Sequence, residues 1–489
     1  MDRRLLSLGL VAASVGGCWS EDRIGGVFTQ EQLDRIRAQF PLLAPPDLTA
    51  ICSTSSRTFD VGDCEVAARF GHELFFDASL SSTGLVSCAS CHEPDDWYAQ
   101  PYPLSHGASK PTSRNTVSVV NLAYKPYGTY SWIGLPTAAD VITQIALPKA
   151  MDATHAHLRD RIDGNPRYRA MYEHLFGRLP GTADSNQHET VTLALAGVFE
   201  VYMRQLASVE APFDRFVAGD MTALTDKQLR GFGVFVGPGL CYECHRGSLF
   251  TDHSFRVTGV ASTDAGRDGT GAFYTASLRH IEKTGPYMHD GSIATLAGVV
   301  EFYRWGGDVN GFAKDPLMVP LDITNEQAEE LVAFMTALTG KPLHDVLLSP
   351  PAPRATCTVS GREGLSCSGT CRDVSYDRMH CGECGIACGA DETCDQARCV
   401  PNACSPYGQL CDGKCKDIAT DRTNCGGCGN VCDDDEVCML GCYPLQCEPA
   451  ATGCNGTCVD TMSDPAHCGG CGNVCPGSAP TCAGGMCKP

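Results

Sequence analysis

The chain contains two copies of the pattern Cys-x-x-Cys-His, at residues 88–92 and 241–245. In this pattern two thiols bond the vinyl groups of a c-type haem, and the adjacent imidazole ligates the haem iron. Both copies lie outside the cysteine-rich C-terminal part, which favours haem over the alternatives of two disulfides or a zinc site. Two haems in one chain predict that electrons move between two irons. The attachment and ligand residues are Cys88, Cys91, His92, Cys241, Cys244 and His245.

The segment before each motif has the apolar spacing of an amphipathic helix, at residues 66–76 and 225–235. Thr225 is suited to be the N-cap of the second helix. Apolar residues recur at helical spacing at residues 188–206 and 324–338 as well. Because helix, haem motif and polar loop occur twice in the same order, we expect two related haem domains.

The predicted fold class is mainly α, with two cytochrome-c-like haem domains followed by small disulfide-rich repeats with little regular structure. Cys52 and Cys64 precede the first haem domain and are expected to form a local disulfide. The predicted segments are a signal peptide at 1–18, a leader at 19–65, haem domain 1 at 66–222, haem domain 2 at 223–345, a proline-rich linker at 346–356 and cysteine-rich repeats at 357–489.

The C-terminal part holds 24 of the 31 cysteines, in three eight-cysteine units that begin at Cys357, Cys404 and Cys447. An even cysteine number and few core-forming residues predict units held together by disulfides. Zinc is the alternative, since Cys-x-x-Cys pairs suit that metal. The disulfide pairing cannot be read from the sequence. We interpret the repeats as a spacer or as a stalk that binds a cell wall or a protein partner.

The N-terminus and the composition indicate an exported protein. So many cysteines point to an oxidising compartment, and residues 1–18 have the charge and short apolar run of a bacterial lipoprotein signal. Processing there would leave Cys18 as a lipid-bearing N-terminus in the periplasm or cell envelope; an ordinary secretory signal is the alternative. The net charge is −20, and no basic run suggests nucleic-acid binding. An acidic surface could attract a basic protein such as a small cytochrome.

Four segments resemble bacterial di-haem cytochrome c peroxidases and the related MauG-type enzymes. They lie at residues 74–81, 113–121, 276–280 and 284–291, the last reading Thr-Gly-Pro-Tyr-Met-His-Asp-Gly. The resemblance runs over roughly residues 66–340 and leaves the C-terminal repeats outside. It implies that hydrogen peroxide binds and is cleaved at the haem on His92. It also implies that the haem on His245 receives electrons.

The same resemblance implies further site residues. A calcium ion between the domains would be bound by Asn115, Thr284 and Pro286, and oxygen ligands suit that hard cation; a turn residue is the alternative for Asn115. Trp132 matches the tryptophan between the two haems, or it is an aromatic core residue. The family's Trp-Asp-Gly-Arg reads Trp-Ile-Gly-Leu at residues 132–135, so the charged pair of that local network is missing.

The sixth ligand of the second haem falls at Tyr303, where the peroxidases have methionine and MauG-type enzymes have tyrosine. Thioether ligation raises the reduction potential, whereas phenolate favours oxidised iron. Tyr303 therefore favours the MauG-like branch. Met288 is the alternative ligand, although its place in the family-like motif at residues 284–291 favours a structural role.

On the peroxide side, the resemblance implies an amide and an acid that move a proton between the two peroxide oxygens. Gln144 is the matching amide, and Asp152 is the nearest carboxylate, with a surface acid as its alternative. His106 falls where some relatives have a removable ligand on the first haem; a surface loop residue is the alternative.

These residues predict a di-haem peroxidase that reduces hydrogen peroxide with electrons from an external donor, such as a small cytochrome c or a cupredoxin. A MauG-like oxidase acting on a protein or an organic substrate is a close alternative. A haem protein that only carries electrons or senses haem is a further one.

Overall fold

The structure is a computed structural model, which describes Ile24 and residues 26–261, 263–309, 311–351, 356–359, 362–389, 392–395, 397–401, 408–411, 414–444, 447 and 451–488. The predicted signal peptide and Cys18 lie outside the described residues. The chain divides into two compact units, Met1–Pro353 and Arg354–Pro489. Within the described residues, no helix is both long enough and apolar enough to cross a membrane.

The first unit is helical, with one small two-stranded sheet. Its helices are α1 Gln30–Gln39, α2 Leu48–Thr54, α3 Val61–Phe76, α4 Ala138–Val141, α5 His155–Gly164, α6 Pro166–Phe176, α7 His188–Arg204, α8 Pro212–Ala218, α9 Asp226–Val236, α10 Leu296–Arg304 and α11 Asn325–Thr336. Helix α4 continues into a π-helix at Ile142–Ala150. Strands β1 Phe255–Arg256 and β2 Phe273–Tyr274 pair in antiparallel fashion.

Helices α3 and α7 build the core around the first haem motif. They cross at Gly71, where a Cβ would lie 1.9 Å from the carbonyl oxygen of Val198, so only glycine permits this approach. Helix α2 joins the pair through the predicted Cys52–Cys64 disulfide, which is confirmed. Both cysteines are buried with Val201 of α7.

Helices α9 and α11 repeat this arrangement around the second motif. Thr225 caps α9 as predicted, since its hydroxyl accepts a hydrogen bond from the backbone N–H of Gln228. A Cβ on Gly231 would lie 1.8 Å from the carbonyl oxygen of Glu330, so this helix pair also crosses at a glycine. The mainly helical fold class of the first unit is as predicted.

The packing crosses two of the predicted segment boundaries. Helix α1, in the predicted leader, contributes Leu33 and Ile36 to the core of the second haem region. Phe213 and Phe216 of α8 join the same core, although they precede residue 223. These apolar side chains share one core with Phe232 of α9, because burial there removes their surface from water.

The second unit consists of short antiparallel hairpins. Its strands are β3 Thr356–Val359, β4 Arg362–Cys367, β5 Thr370–Arg372, β6 Glu392–Asp395, β7 Arg398–Pro401, β8 Gly408–Cys411, β9 Lys414–Asp417, β10 Glu436–Cys438, β11 Cys442–Pro444, β12 Thr452–Cys454, β13 Thr457–Val459, β14 Thr481–Ala483 and β15 Met486–Lys488. Strands β3, β4 and β5 form one sheet, and each other sheet is a single hairpin.

The first and third repeats share one disulfide pairing. In the first and third units, the eight cysteines pair first with third, second with fifth, fourth with seventh and sixth with eighth. The second unit shows the last two of these bonds, Cys425–Cys438 and Cys432–Cys442. Three clusters of closely spaced sulfurs, such as that around Cys381, are made of disulfide-bonded cysteines. The disulfide prediction is therefore confirmed, and the zinc alternative is wrong for these residues.

Candidate active site

Both haem motifs fold in the same way. Each begins with one turn of 3₁₀-helix, Cys88–Ser90 and Cys241–Glu243. The backbone N–H of His92 donates to the carbonyl of Cys88 at 2.9 Å, and that of His245 donates to the carbonyl of Cys241 at 2.8 Å. The four thiols of the two motifs are free, whereas the remaining described cysteines form disulfides. The motif thiols are therefore available for thioether bonds.

Each imidazole is held by a backbone carbonyl. Nδ1 of His92 donates to the carbonyl oxygen of Tyr98 at 3.1 Å, and Nδ1 of His245 donates to that of Phe250 at 2.9 Å. Such a bond fixes the tautomer and leaves Nε2 to ligate a metal. Burial lowers the pKa of both imidazoles, which favours the neutral form that a metal requires.

Each motif lines a cavity. Cys88, Cys91 and His92 line a cavity of about 660 Å³, which we call the first cavity. Cys241, Cys244 and His245 line a second cavity of about 260 Å³. The lining of both is mainly apolar, as expected for a site that binds a large planar ring.

One wall separates the two cavities. The residues that line both are Asn115, Thr116, Val117, Ser118, Lys125 and Trp132. The indole Nε1–H of Trp132 donates to the carbonyl of Asn115 at 2.8 Å, and its own carbonyl accepts from the backbone N–H of Tyr274 at 2.8 Å. The side chain is thus fixed between the two haem motifs, where the sequence predicted a bridging tryptophan.

Both candidates for the sixth ligand of the second haem line the second cavity. Tyr303, in the last turn of α10, lines it together with Met288. The phenol oxygen of Tyr303 forms no hydrogen bond with any described residue, and burial raises its pKa. A half-buried phenol on this cavity that has no hydrogen-bond partner among the described residues is suited to bind iron, so the Tyr303 assignment stays a prediction that this geometry supports.

The three predicted calcium ligands also line the second cavity. Asn115 is buried, and its amide Nδ2 donates to the carbonyls of Tyr102 and Pro103 at 3.1 and 3.2 Å. Its Oδ1 is therefore left to face another partner. Thr284 and Pro286 lie on the loop before α10, on the same cavity lining. Calcium binding by this set stays a prediction.

The geometry does not support three other assignments. Gln144, Asp152 and His106 are all exposed, and none lines either cavity. Gln144 lies in the π-helix, whose residues on the first cavity are Ile142, Ile145, Ala146, Lys149 and Ala150. Nε2 of Gln144 instead donates to Asp140 at 3.3 Å. The described lining of the first cavity contains no carboxylate, and its one histidine is His92.

Two residues that the structure places at the site had no role predicted from the sequence. His289 is buried on the second cavity, stacked on Phe273 at 3.6 Å, and its Nε2 has no partner among the described residues. An unsatisfied buried nitrogen at this position fits a bound group that carries acceptors, as the carboxylates of haem do. The motif at 284–291 could have indicated His289 from the sequence. The second residue is Lys125, which lines both cavities and lies in no motif that would have indicated it.

A helical unit with two haem-attachment motifs and two adjoining cavities has the arrangement of a di-haem c-type cytochrome. The family profile described as di-haem cytochrome c peroxidase matches residues 65–222. The chain is 31% identical to cytochrome-c peroxidase IdrP2 of Denitromonas iodatirespirans, covering 58% of this chain and 83% of that protein. It is 34% identical to the methylamine utilization protein MauG of Methylorubrum extorquens, covering 56% and 78%.

A solved structure has the same fold. The crystal structure of a MauG-like protein associated with microbial copper homeostasis matches with a TM-score of 0.53 and 25% identity, over 64% of this chain and 97% of that one. The chain belongs to the di-haem cytochrome c peroxidase and MauG family. It is a peroxidase-type oxidoreductase with two c-type haems, as the sequence predicted.

Proposed function

We propose that this protein reduces hydrogen peroxide to water with two electrons from an external donor, such as a small cytochrome c or a cupredoxin. The observation that carries the proposal is the single wall that separates two haem-motif cavities and contains Trp132. Relatives that are named cytochrome-c peroxidases support it. A bound haem would supply, in each cavity, an iron that binds peroxide or exchanges single electrons.

The side chains of this protein hold and connect the two sites. His92 and His245 would ligate the irons through Nε2, with Nδ1 of each imidazole fixed by a carbonyl. Trp132 would provide the π system between the cavities. Electrons would enter on the His245 side and peroxide would bind on the His92 side.

Reduction of one peroxide to two waters also needs two protons. The π-helix contributes one side chain that can carry a proton to the lining of the first cavity, the ammonium of Lys149. Gln144 and Asp152 stay candidates from the resemblance, although a rearrangement of the π-helix would be needed to bring them to the cavity.

We include calcium at Asn115, Thr284 and Pro286, and lipid anchoring through Cys18 with export to the periplasm, as parts of the same proposal.

The proposal is tested by steady-state oxidation of a reduced small cytochrome by the purified holoprotein with peroxide. We expect turnover that requires both peroxide and two haems per chain. A matched preparation in which Cys241 and Cys244 are replaced by Ala, so that only the first haem is attached, should bind peroxide but oxidise little cytochrome. Equal cytochrome oxidation by that variant and the wild type would contradict the proposed route.

Tyr303 favours a second candidate function. A MauG-like oxidase would use the same two haems to oxidise a protein or an organic substrate, and the relative MauG supports this candidate. The two functions differ in what happens to the donor. If peroxide produces a long-lived oxidised holoprotein that oxidises reduced cytochrome only slowly, the MauG-like function holds and the peroxidase function fails.

A further inference from the structure

One cation lies in the wall between the two cavities. Of the six residues that line both, Lys125 alone carries a charge. It follows the turn at Leu122–Tyr124, to which its backbone N–H is bonded at 3.1 Å, so its position in the wall is fixed by local structure. The proline at residue 126 restricts the backbone further.

The ammonium of Lys125 has an aromatic neighbour but no anionic partner among the described residues. Its Nζ lies 5.2 Å from the ring centroid of Tyr274, whose hydroxyl is bonded to Nδ1 of His253 at 2.7 Å. The ammonium of Lys125 forms no ion pair and no hydrogen bond with any described residue. A half-buried cation without a counter-charge is unfavourable. Consistent with this, burial lowers the pKa of Lys125 to about 8.

The missing anion is expected to come with the cofactor. Each haem carries two propionate carboxylates on the edge of its ring, and an ammonium has three donors, enough for carboxylates from two sides. We propose that Lys125 binds propionate carboxylates of the haems in both cavities and thereby raises the reduction potential of both. This proposal rests on the presence of two haems, which the haem content of the wild type tests separately.

The direction in which Lys125 should shift the haem potentials follows from its positive charge. Ferric haem carries one more positive charge than ferrous haem, so a nearby cation disfavours the ferric state and raises the midpoint potential. Because Lys125 lines both cavities, its removal should act on both haems. A lysine that contacted only one haem would act on that haem alone.

The test is spectroelectrochemical titration of the holoprotein and three variants. We expect Lys125→Met to shift both midpoint potentials downward and Lys125→Arg, which keeps the charge, to leave both close to those of the wild type. The control is Lys227→Met. Lys227 lies on the exposed face of α9 and pairs with Glu329, so its replacement should change neither midpoint potential. Haem content and peroxide consumption of the wild type are recorded first. A failure of the proposed function can then be distinguished from a failure of the proposal about Lys125.

Three results would overturn the proposal. They are unchanged potentials in Lys125→Met, a downward shift at only one haem, and a Lys125→Arg variant whose potentials fall as far as those of Lys125→Met. If Lys125→Met incorporates fewer than two haems, the Arg variant carries the test alone. It must then incorporate two haems and keep both potentials close to those of the wild type.

Discussion

At the scale of single residues, the two haem motifs are held alike, and the two cavities differ in the side chains that line them. His92 and His245 are held by equivalent hydrogen bonds to backbone carbonyls. The two candidate sixth ligands, Tyr303 and Met288, line the second cavity, whereas the described lining of the first cavity contains no carboxylate. The predicted sixth ligand of the second haem is therefore the residue-level assignment to test first.

Replacing Tyr303 tests that ligand. We expect Tyr303→Phe to change the absorption and EPR spectra of the second haem and to leave those of the first unchanged, because the phenol oxygen is lost from one cavity only. Tyr303→Met should raise the reduction potential of the second haem, since a thioether favours ferrous iron more than phenolate does.

The control for this prediction is Tyr124→Phe. The hydroxyl of Tyr124 donates to the carbonyl of Ala44, and Tyr124 lines neither cavity. A second-haem spectrum that is the same in Tyr303→Phe and in the wild type would refute the Tyr303 assignment. The matching replacement Met288→Leu would then identify the other candidate on that cavity.

At the scale of elements, each haem motif is supported by one pair of helices that cross at a glycine. Helix α3 meets α7 at Gly71, and α9 meets α11 at Gly231. The two crossings have the same arrangement, in which the helix before the motif packs closely against a later helix. The position of each motif therefore depends on a contact that allows no side chain.

A methyl group at the second crossing should destabilise the haem unit. In Gly231→Ala, the Cβ would lie 1.8 Å from the carbonyl oxygen of Glu330, so the helices must separate. Overpacking of this kind costs about 1–3 kcal/mol or more. We expect a lower midpoint of chemical unfolding followed by haem absorption, together with lower haem content.

Gly62→Ala is the matched control, because a Cβ at Gly62 of α3 has no neighbour within 4 Å. Its unfolding midpoint should stay the same or rise, as expected when alanine replaces glycine in a helix. Equal effects of the two substitutions would show that the close approach at Gly231 does not support the fold.

The elements show which features the sequence could predict. The helices before both motifs and the cap at Thr225 follow from local spacing, and the structure contains them. Gln144 was placed by its match to the family's amide, but it lies in a π-helix whose cavity-lining residues do not include it. Lys125 and the wall it shares with Trp132 depend on contacts between distant segments, which spacing does not reveal.

At the scale of the whole molecule, the two units depend on different forces. The haem unit has an aromatic and aliphatic core, whereas the buried side chains of the repeats are mostly disulfide-bonded cysteines. Chains with so little apolar core are held mainly by their cross-links. The sequence predicted this difference from composition, but the pairing needed the structure.

Removing one disulfide of a repeat should therefore unfold that repeat and leave the haem sites intact. We expect the double replacement of Cys381 and Cys394 by Ser to cost roughly 2–5 kcal/mol of local stability. Limited proteolysis should cleave near residue 381, with unchanged haem spectra. The double replacement of Cys52 and Cys64 by Ser is the control, and it should lower the thermal stability of the haem unit instead. Haem-unit destabilisation in the first variant would contradict this separation.

The most direct test of a coupled di-haem peroxidase is the oxidation of fully reduced holoprotein by one equivalent of peroxide, followed by stopped-flow absorption. Peroxide takes up two electrons, and two ferrous haems hold two. We predict that one equivalent converts both haems to ferric. The reaction should be slower in Trp132→Phe and unchanged in the control Trp305→Phe, whose indole is exposed. If one haem stays ferrous after one equivalent, the two sites do not act together and the protein is not a coupled di-haem peroxidase.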